Sequence, residues 1–149
     1  MTYNQARMSV NQVSPEAYRA VSGMEKYIRK HVDSHLLHLV KLRASLLNGC
    51  SFCLDMHSRE GLADGMDTRQ LFAVGAWREG PFFDERERAA LALTDAVTKL
   101  GEDGVPDEVW DAAVKHFGDE GVVNLLMAIA TINVWNRLSI ATRTQPPTG

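Results

Sequence analysis

From Ser14 to about Ala141 the apolar residues of this chain recur at the three- and four-residue spacing of an α-helix, and no segment alternates apolar and polar residues over the length of a strand. That single periodicity confines the chain to an all-α fold. Local punctuation divides the pattern into about six to seven helices. Ser14-Pro15-Glu16 supplies an N-cap, a proline at the first helical position and an acid in the first turn, ahead of Tyr18, Val21, Met24, Tyr27 and Ile28. Ser34 starts a helix that is apolar on more than one side (Leu36, Leu37, Val40, Leu42, Ala44, Leu46, Leu47) and stops at Asn48-Gly49. Cys50 opens the next, which runs to Gly65, and a short helix from Asp67 or Thr68 ends before Gly80-Pro81. Asp84 caps the stretch Glu85 to Leu100, Pro106 starts another, and Gly118-Asp119 leads into a long final helix from Glu120 to about Ala141.

Residues 1–13 carry no periodic signal and are expected to form an N-terminal arm, residues 14–143 one helical domain, and residues 144–149 a disordered tail. No linker or fixed-period repeat subdivides the domain, and 149 residues suffice for one core. Nineteen acidic residues outnumber sixteen Lys and Arg, and no basic run with interleaved aromatics occurs, so we expect no nucleic-acid partner. The N-terminus is polar, and the longest apolar stretch, Val122 to Ile132, is interrupted by Asn124 and Thr131. We therefore expect neither a signal peptide nor a membrane span, and a cytoplasmic protein.

In such a compartment a lone C-x-x-C pair points to catalysis, redox chemistry or metal binding rather than to a structural staple. Cys50, Cys53 and His57 lie three and four residues apart, so a helix places all of them on one face. Thiols at this spacing can form a disulfide, the helix N-terminus favours a thiolate, and His57, one turn beyond Cys53, can accept its proton. Two other readings stay open on these residues alone. The cysteines could be buried core side chains, or they could join His57 with His38 or Asp55 around zinc, although no second ligand pair follows downstream.

The run Leu39-Val-Lys-Leu-Arg-Ala-Ser-Leu-Leu-Asn-Gly-Cys-Ser-Phe-Cys-Leu-Asp-Met-His57, with Ala76-Trp-Arg-Glu-Gly-Pro-Phe-Phe-Asp-Glu-Arg-Glu-Arg-Ala-Ala-Leu91 and Ile132-Asn-Val-Trp-Asn-Arg-Leu138, resembles the alkylhydroperoxidase D-like branch of the carboxymuconolactone decarboxylase family. The resemblance spans about residues 35 to 140. It implies an all-helical fold in homotrimers or homohexamers, and a peroxidase that reduces organic hydroperoxides through a dithiol/disulfide cycle, recharged by an external dithiol or protein reductant. It implies no metal and no organic cofactor. By the family pattern the second cysteine, Cys53, attacks the peroxide to give a sulfenic acid, and the first, Cys50, resolves it. The family's proton relay also has a glutamate at the position of His38, and a glutamine at that of Leu46. A histidine can still relay protons near neutral pH, so His38 joins Cys50, Cys53 and His57 as a candidate catalytic residue.

A lactone decarboxylase and a non-enzymatic redox sensor are the competing functions. The first lacks the C-x-x-C pair in the broader family, and the second would fit the change at His38. Trp77, Trp110 and Trp135 are expected to pack in the core or between subunits. Arg78 is expected to pair with a carboxylate, and Asp55 to remain a solvated first-turn acid. The apolar excess of the last helix is expected to be absorbed by an oligomer interface.

Overall fold

A computed structural model describes residues 5–148. It consists of α1 (Val10–Val13), α2 (Pro15–His31), α3 (Ser34–Asn48), α4 (Ser51–Ala63), α5 (Thr68–Ala73) with a one-turn 3₁₀ continuation (Val74–Ala76), α6 (Glu85–Thr98) and α7 (Asp107–Thr142). Among the described residues there is no strand, only an isolated bridge between Gly101 and Gly104. Three caps, Ser14, Asp67 and Asp84, fall where the sequence puts them, while α3 is capped by Asp33, one residue before the expected Ser34. The side chains of Ser14, Asp33, Asp67 and Asp84 each accept a hydrogen bond from an amide of the following first turn. The predicted break at Gly118 is present inside α7, where φ is 68° and ψ is 174°, outside the range of a helix interior.

Helix α3 is central, packing against α4, α6 and α7. Its all-round apolarity has a plain cause, because it separates two cores. Leu36, Leu37, Val40 and Ala44 meet Ile28 of α2, Ala90 and Leu93 of α6, and Leu125, Ile129 and Ile132 of α7. Leu39 and Leu42 face the opposite way, toward Met66, Val74, Trp77, Phe83 and Leu91. Helix α7 is, by length and composition, long and apolar enough to cross a bilayer, unlike the short stretch read from the sequence. Packing within the chain covers part of it: Val122, Leu125, Ala128, Ile129 and Ile132 are buried, while Val123 and Ile140 stay exposed. Trp77 is buried in the core, and Trp110 is 42% exposed.

The expected N-terminal arm includes a helical turn, with Ser9 capping α1. Arg7 ties this segment to the end of α7, its amide donating to the Thr142 carbonyl at 2.8 Å and its guanidinium to that of Ala141 at 3.1 Å. Residues 1–4 of the arm, and Gly149 of the tail, lie outside the described residues. Thr144 of the tail donates its amide to the Ser139 carbonyl at 2.9 Å and hydrogen-bonds the Thr142 hydroxyl.

A buried polar cluster fixes the end of α3 against α7, where the cysteines begin. Asn48 donates to Asn133 at 2.8 Å and to Asn136 at 3.0 Å, and the fully buried Asn136 donates to Ser45 at 3.0 Å. Gly49 follows with φ 72° and ψ 36°, the left-handed conformation that ends α3 and turns the chain into α4. A second junction holds the 3₁₀ turn. Asp95 receives Arg43 at 2.6 Å and 3.2 Å, the Trp77 indole N–H at 3.2 Å and Arg78 at 2.8 Å, so Arg78 does pair with a carboxylate.

Candidate functional site

Cys50 is the N-cap of α4, and its sulfur accepts the Cys53 backbone N–H at 3.3 Å. The two sulfurs are joined in a disulfide with the Cα atoms 5.3 Å apart, within the usual span for such a bond. The spacing therefore does what the sequence suggests, and the two cysteines are bonded to each other as well as buried. Both cysteines are nearly inaccessible, Cys50 at 1 % exposure and Cys53 at 2 %. They differ in what they adjoin: Cys53 lines a cavity of about 610 Å³ and Cys50 does not.

The cavity lies between α2, α4, the second half of α7 and both ends of the described chain. Met8, Val10, Tyr18, Phe52, Met56, Trp135 and Leu138 make much of its wall apolar, and Cys53 and His57 sit together on the α4 side. Trp135, expected to serve packing, is thus also a cavity residue, with its ring 5.3 Å from that of Tyr18. Segment 6–12, unassigned in the sequence beyond an arm, closes another side together with Thr144 and Gln145.

Behind His57 lies a set of charges that the sequence reading missed. His57 Nδ1 is 3.3 Å from Glu60 Oε2, and Arg29 Nη2 is 3.6 Å from the same oxygen. Arg29 Nε is 3.3 Å from Glu25 Oε2, and Lys41 Nζ donates to both Glu25 oxygens at 3.0 Å and 2.9 Å. Lys41, at 1 % exposure, is as buried as the leucines around it. Burial lowers its pKa, opposed by the hydrogen bond and charge of Glu25. His57, at 4 % exposure, is pushed down to about 4, first by burial and then by the positive charge of Lys41, with Glu60 pulling the other way. Burial raises the Glu60 pKa, but His57, Arg29 and Lys41 together outweigh it and the net shift is downward. At neutral pH the site therefore holds a neutral imidazole beside a carboxylate.

The depressed His57 value has a consequence for stability. Between pH 4 and the ordinary 6.5 the unfolded chain binds a proton here that the folded chain does not, so stability is full above 6.5 and falls as the pH drops toward 4. The loss from this residue should approach, on the order of, 3 kcal/mol. Urea unfolding of the disulfide form at a series of pH values checks it: the wild type should lose stability more steeply over this range than His57→Gln, and parallel curves would refute it.

His38 stands at the register of the family's relay acid. It is buried, with Nε2 2.7 Å from Asp64 Oδ2 at the far end of α4, and its hydrogen bond goes to that carboxylate rather than to His57 or either sulfur. Its Nδ1 is buried without a partner. Asp55 is engaged by Arg59 at 2.8 Å on the surface of α4. As for a metal, both sulfurs are consumed in the disulfide, and among the described residues no three or more His, Cys, Asp or Glu side chains gather in a way that could hold an ion.

The fold and the site together define an all-helical dithiol protein with its C-x-x-C pair at a helix start, one cysteine facing a cavity beside a neutral histidine. The chain belongs to the carboxymuconolactone decarboxylase family, whose model matches residues 15–96, and within it to the AhpD-like branch. It is 35% identical to the uncharacterized protein YdfG of Bacillus subtilis (strain 168), over 91% of this chain and 92% of that one. It is also similar to a crystal structure of a protein of unknown function from Agrobacterium tumefaciens, for which antioxidant defence as AhpD has been suggested. That match has 41% identity and a TM-score of 0.94, covering 97% of this chain and all of the other. The debrominase Bmp8 shares the fold, with a TM-score of 0.81 at 22% identity over 92% of this chain and 74% of its own.

Proposed function

We propose that this protein is a thiol-dependent peroxidase that reduces organic hydroperoxides through Cys53 and Cys50. The observation that carries the reading is the asymmetry of the disulfide: Cys53 lines the cavity along with His57, and Cys50 does not. In the reduced form the Cys53 thiolate attacks the terminal oxygen of the hydroperoxide. An S–O bond forms, the O–O bond breaks, and the departing alkoxide takes a proton to become an alcohol. Cys53 is oxidised to the sulfenic acid as the peroxide is reduced by two electrons. Cys50 gives up its proton, its thiolate being favoured by the helix N-terminus, and attacks that sulfur; the S–S bond forms, the S–O bond breaks, and the hydroxide released takes up a proton and leaves as water. An external dithiol returns the pair to thiols by exchange.

The apolar wall supports a hydroperoxide with an organic body, since burying apolar area stabilises by about 25 cal/mol per Å². The test is consumption of cumene hydroperoxide by the purified full chain with dithiothreitol as reductant. Turnover proportional to protein concentration is expected, and consumption no faster than by dithiothreitol alone would overturn the reading.

A further inference from the structure

A neutral imidazole has one N–H and one lone pair, and which nitrogen carries which is decided by its neighbours. An ionised carboxylate accepts hydrogen bonds and cannot donate. With Glu60 Oε2 3.3 Å from His57 Nδ1, the hydrogen belongs on Nδ1 and the lone pair on Nε2. Cys53 lies one helical turn away on the same face, and both residues line the cavity.

We propose that Glu60 is the positioning residue of this site: it holds His57 as the Nδ1–H tautomer, so that Nε2 receives the Cys53 thiol proton, and it stabilises the imidazolium that results. The inference rests on Cys53 being the attacking thiol. The Cys53 S–H bond breaks and an Nε2–H bond forms. The pair becomes thiolate and imidazolium, and the proton later passes to the alkoxide released from the peroxide. The low pKa of His57 belongs to the disulfide form, and a thiolate one turn away raises it by attraction.

The charges facing this histidine are Glu60 on its own helix, Glu25 and Arg29 from α2, and Lys41 from α3; no charged side chain of α7 lines the cavity. Arg29 and Lys41 favour the ionised form of Glu60, which keeps it an acceptor. The acid at the family's relay position is thus replaced here by a carboxylate on α4 itself, three residues beyond the histidine, while His38 is held by Asp64 two turns further along.

The test is the alkylation rate of reduced protein by iodoacetamide across pH, in a Cys50→Ser background that leaves one thiol. Glu60→Gln should slow the reaction at about pH 7 by roughly ten-fold or more, the usual scale for losing a partner that orients a functional histidine. By about pH 10 the thiol ionises unaided, and the rate should return to within two-fold of the parent. Glu60→Ala should show the same pH-confined loss, and Asp64→Asn should stay within about two-fold of the parent throughout. A Glu60→Gln rate matching the parent at every pH would overturn the proposal. So would a loss that persists at high pH, which marks a displaced helix, or an equal loss in Asp64→Asn, which would return the relay to His38. Alkylation uses no peroxide, so an inactive hydroperoxide assay beside a pH-confined Glu60 effect would overturn the peroxidase reading and leave this one standing.

Discussion

Cys53→Ser is expected to lower dithiol-dependent hydroperoxide consumption by at least roughly a thousand-fold, to the background of the dithiol itself, because removing the nucleophile removes the step that breaks the O–O bond. Cys50→Ser should behave differently. Cys53 still faces the cavity and His57 in that variant, so the first equivalent of peroxide should react at close to the parent rate. Turnover should then fail for want of an internal resolving thiol, unless the added dithiol reaches Cys53 directly. The comparison is made by stopped-flow and steady-state measurement on the same preparations, and a Cys53→Ser protein that still turns over would reverse the assignment of the two cysteines.

Glu25→Leu should destabilise the fold by roughly 3–5 kcal/mol, the scale of an ion pair broken on one side inside a protein. Lys41 would remain buried among apolar side chains of α3 with both of its Glu25 contacts gone, while Arg29 would keep Glu60. The double variant Glu25→Leu/Lys41→Met should recover most of the loss, since matched apolar groups in place of a buried pair are often neutral or better. Urea denaturation of the disulfide form measures both. A single variant that loses under about 1 kcal/mol would show that Lys41 finds water or another counter-ion.

The parts of this molecule legible from the chain are those set by local geometry. The helix starts at Ser14, Asp84 and Cys50, the left-handed stop at Gly49 and the break at Gly118 depend on neighbouring residues alone. Cys50 caps the helix that carries Cys53 and His57, so local spacing is enough to pair the cysteines and to set Cys53 and His57 on one cavity wall. Glu60 was within the same reach, since it stands three residues after His57 and such pairs meet on a helix. Lys41 also left a trace, as one of two cations, with Arg43, in a largely apolar helix, but its partner Glu25 could not be read because they meet only when α2 and α3 pack. The same holds for His38: its register in the family motif says nothing of which carboxylate it meets, and the neighbour that decides is Asp64, twenty-six residues away. The wall built by residues 6–12 was hidden for a related reason, since a segment without periodicity shows no preferred face until α7 gives it one through Arg7.

The central claim, that Cys53 meets the peroxide and Cys50 resolves the sulfenic acid, is tested most directly by treating each reduced single-cysteine variant with one equivalent of cumene hydroperoxide and a sulfenic-acid trap such as dimedone, then locating the adduct by mass spectrometry. Rapid, near-complete trapping is expected on Cys53 in Cys50→Ser, with little or none on Cys50 in Cys53→Ser. Faster trapping on Cys50 than on Cys53 would contradict it.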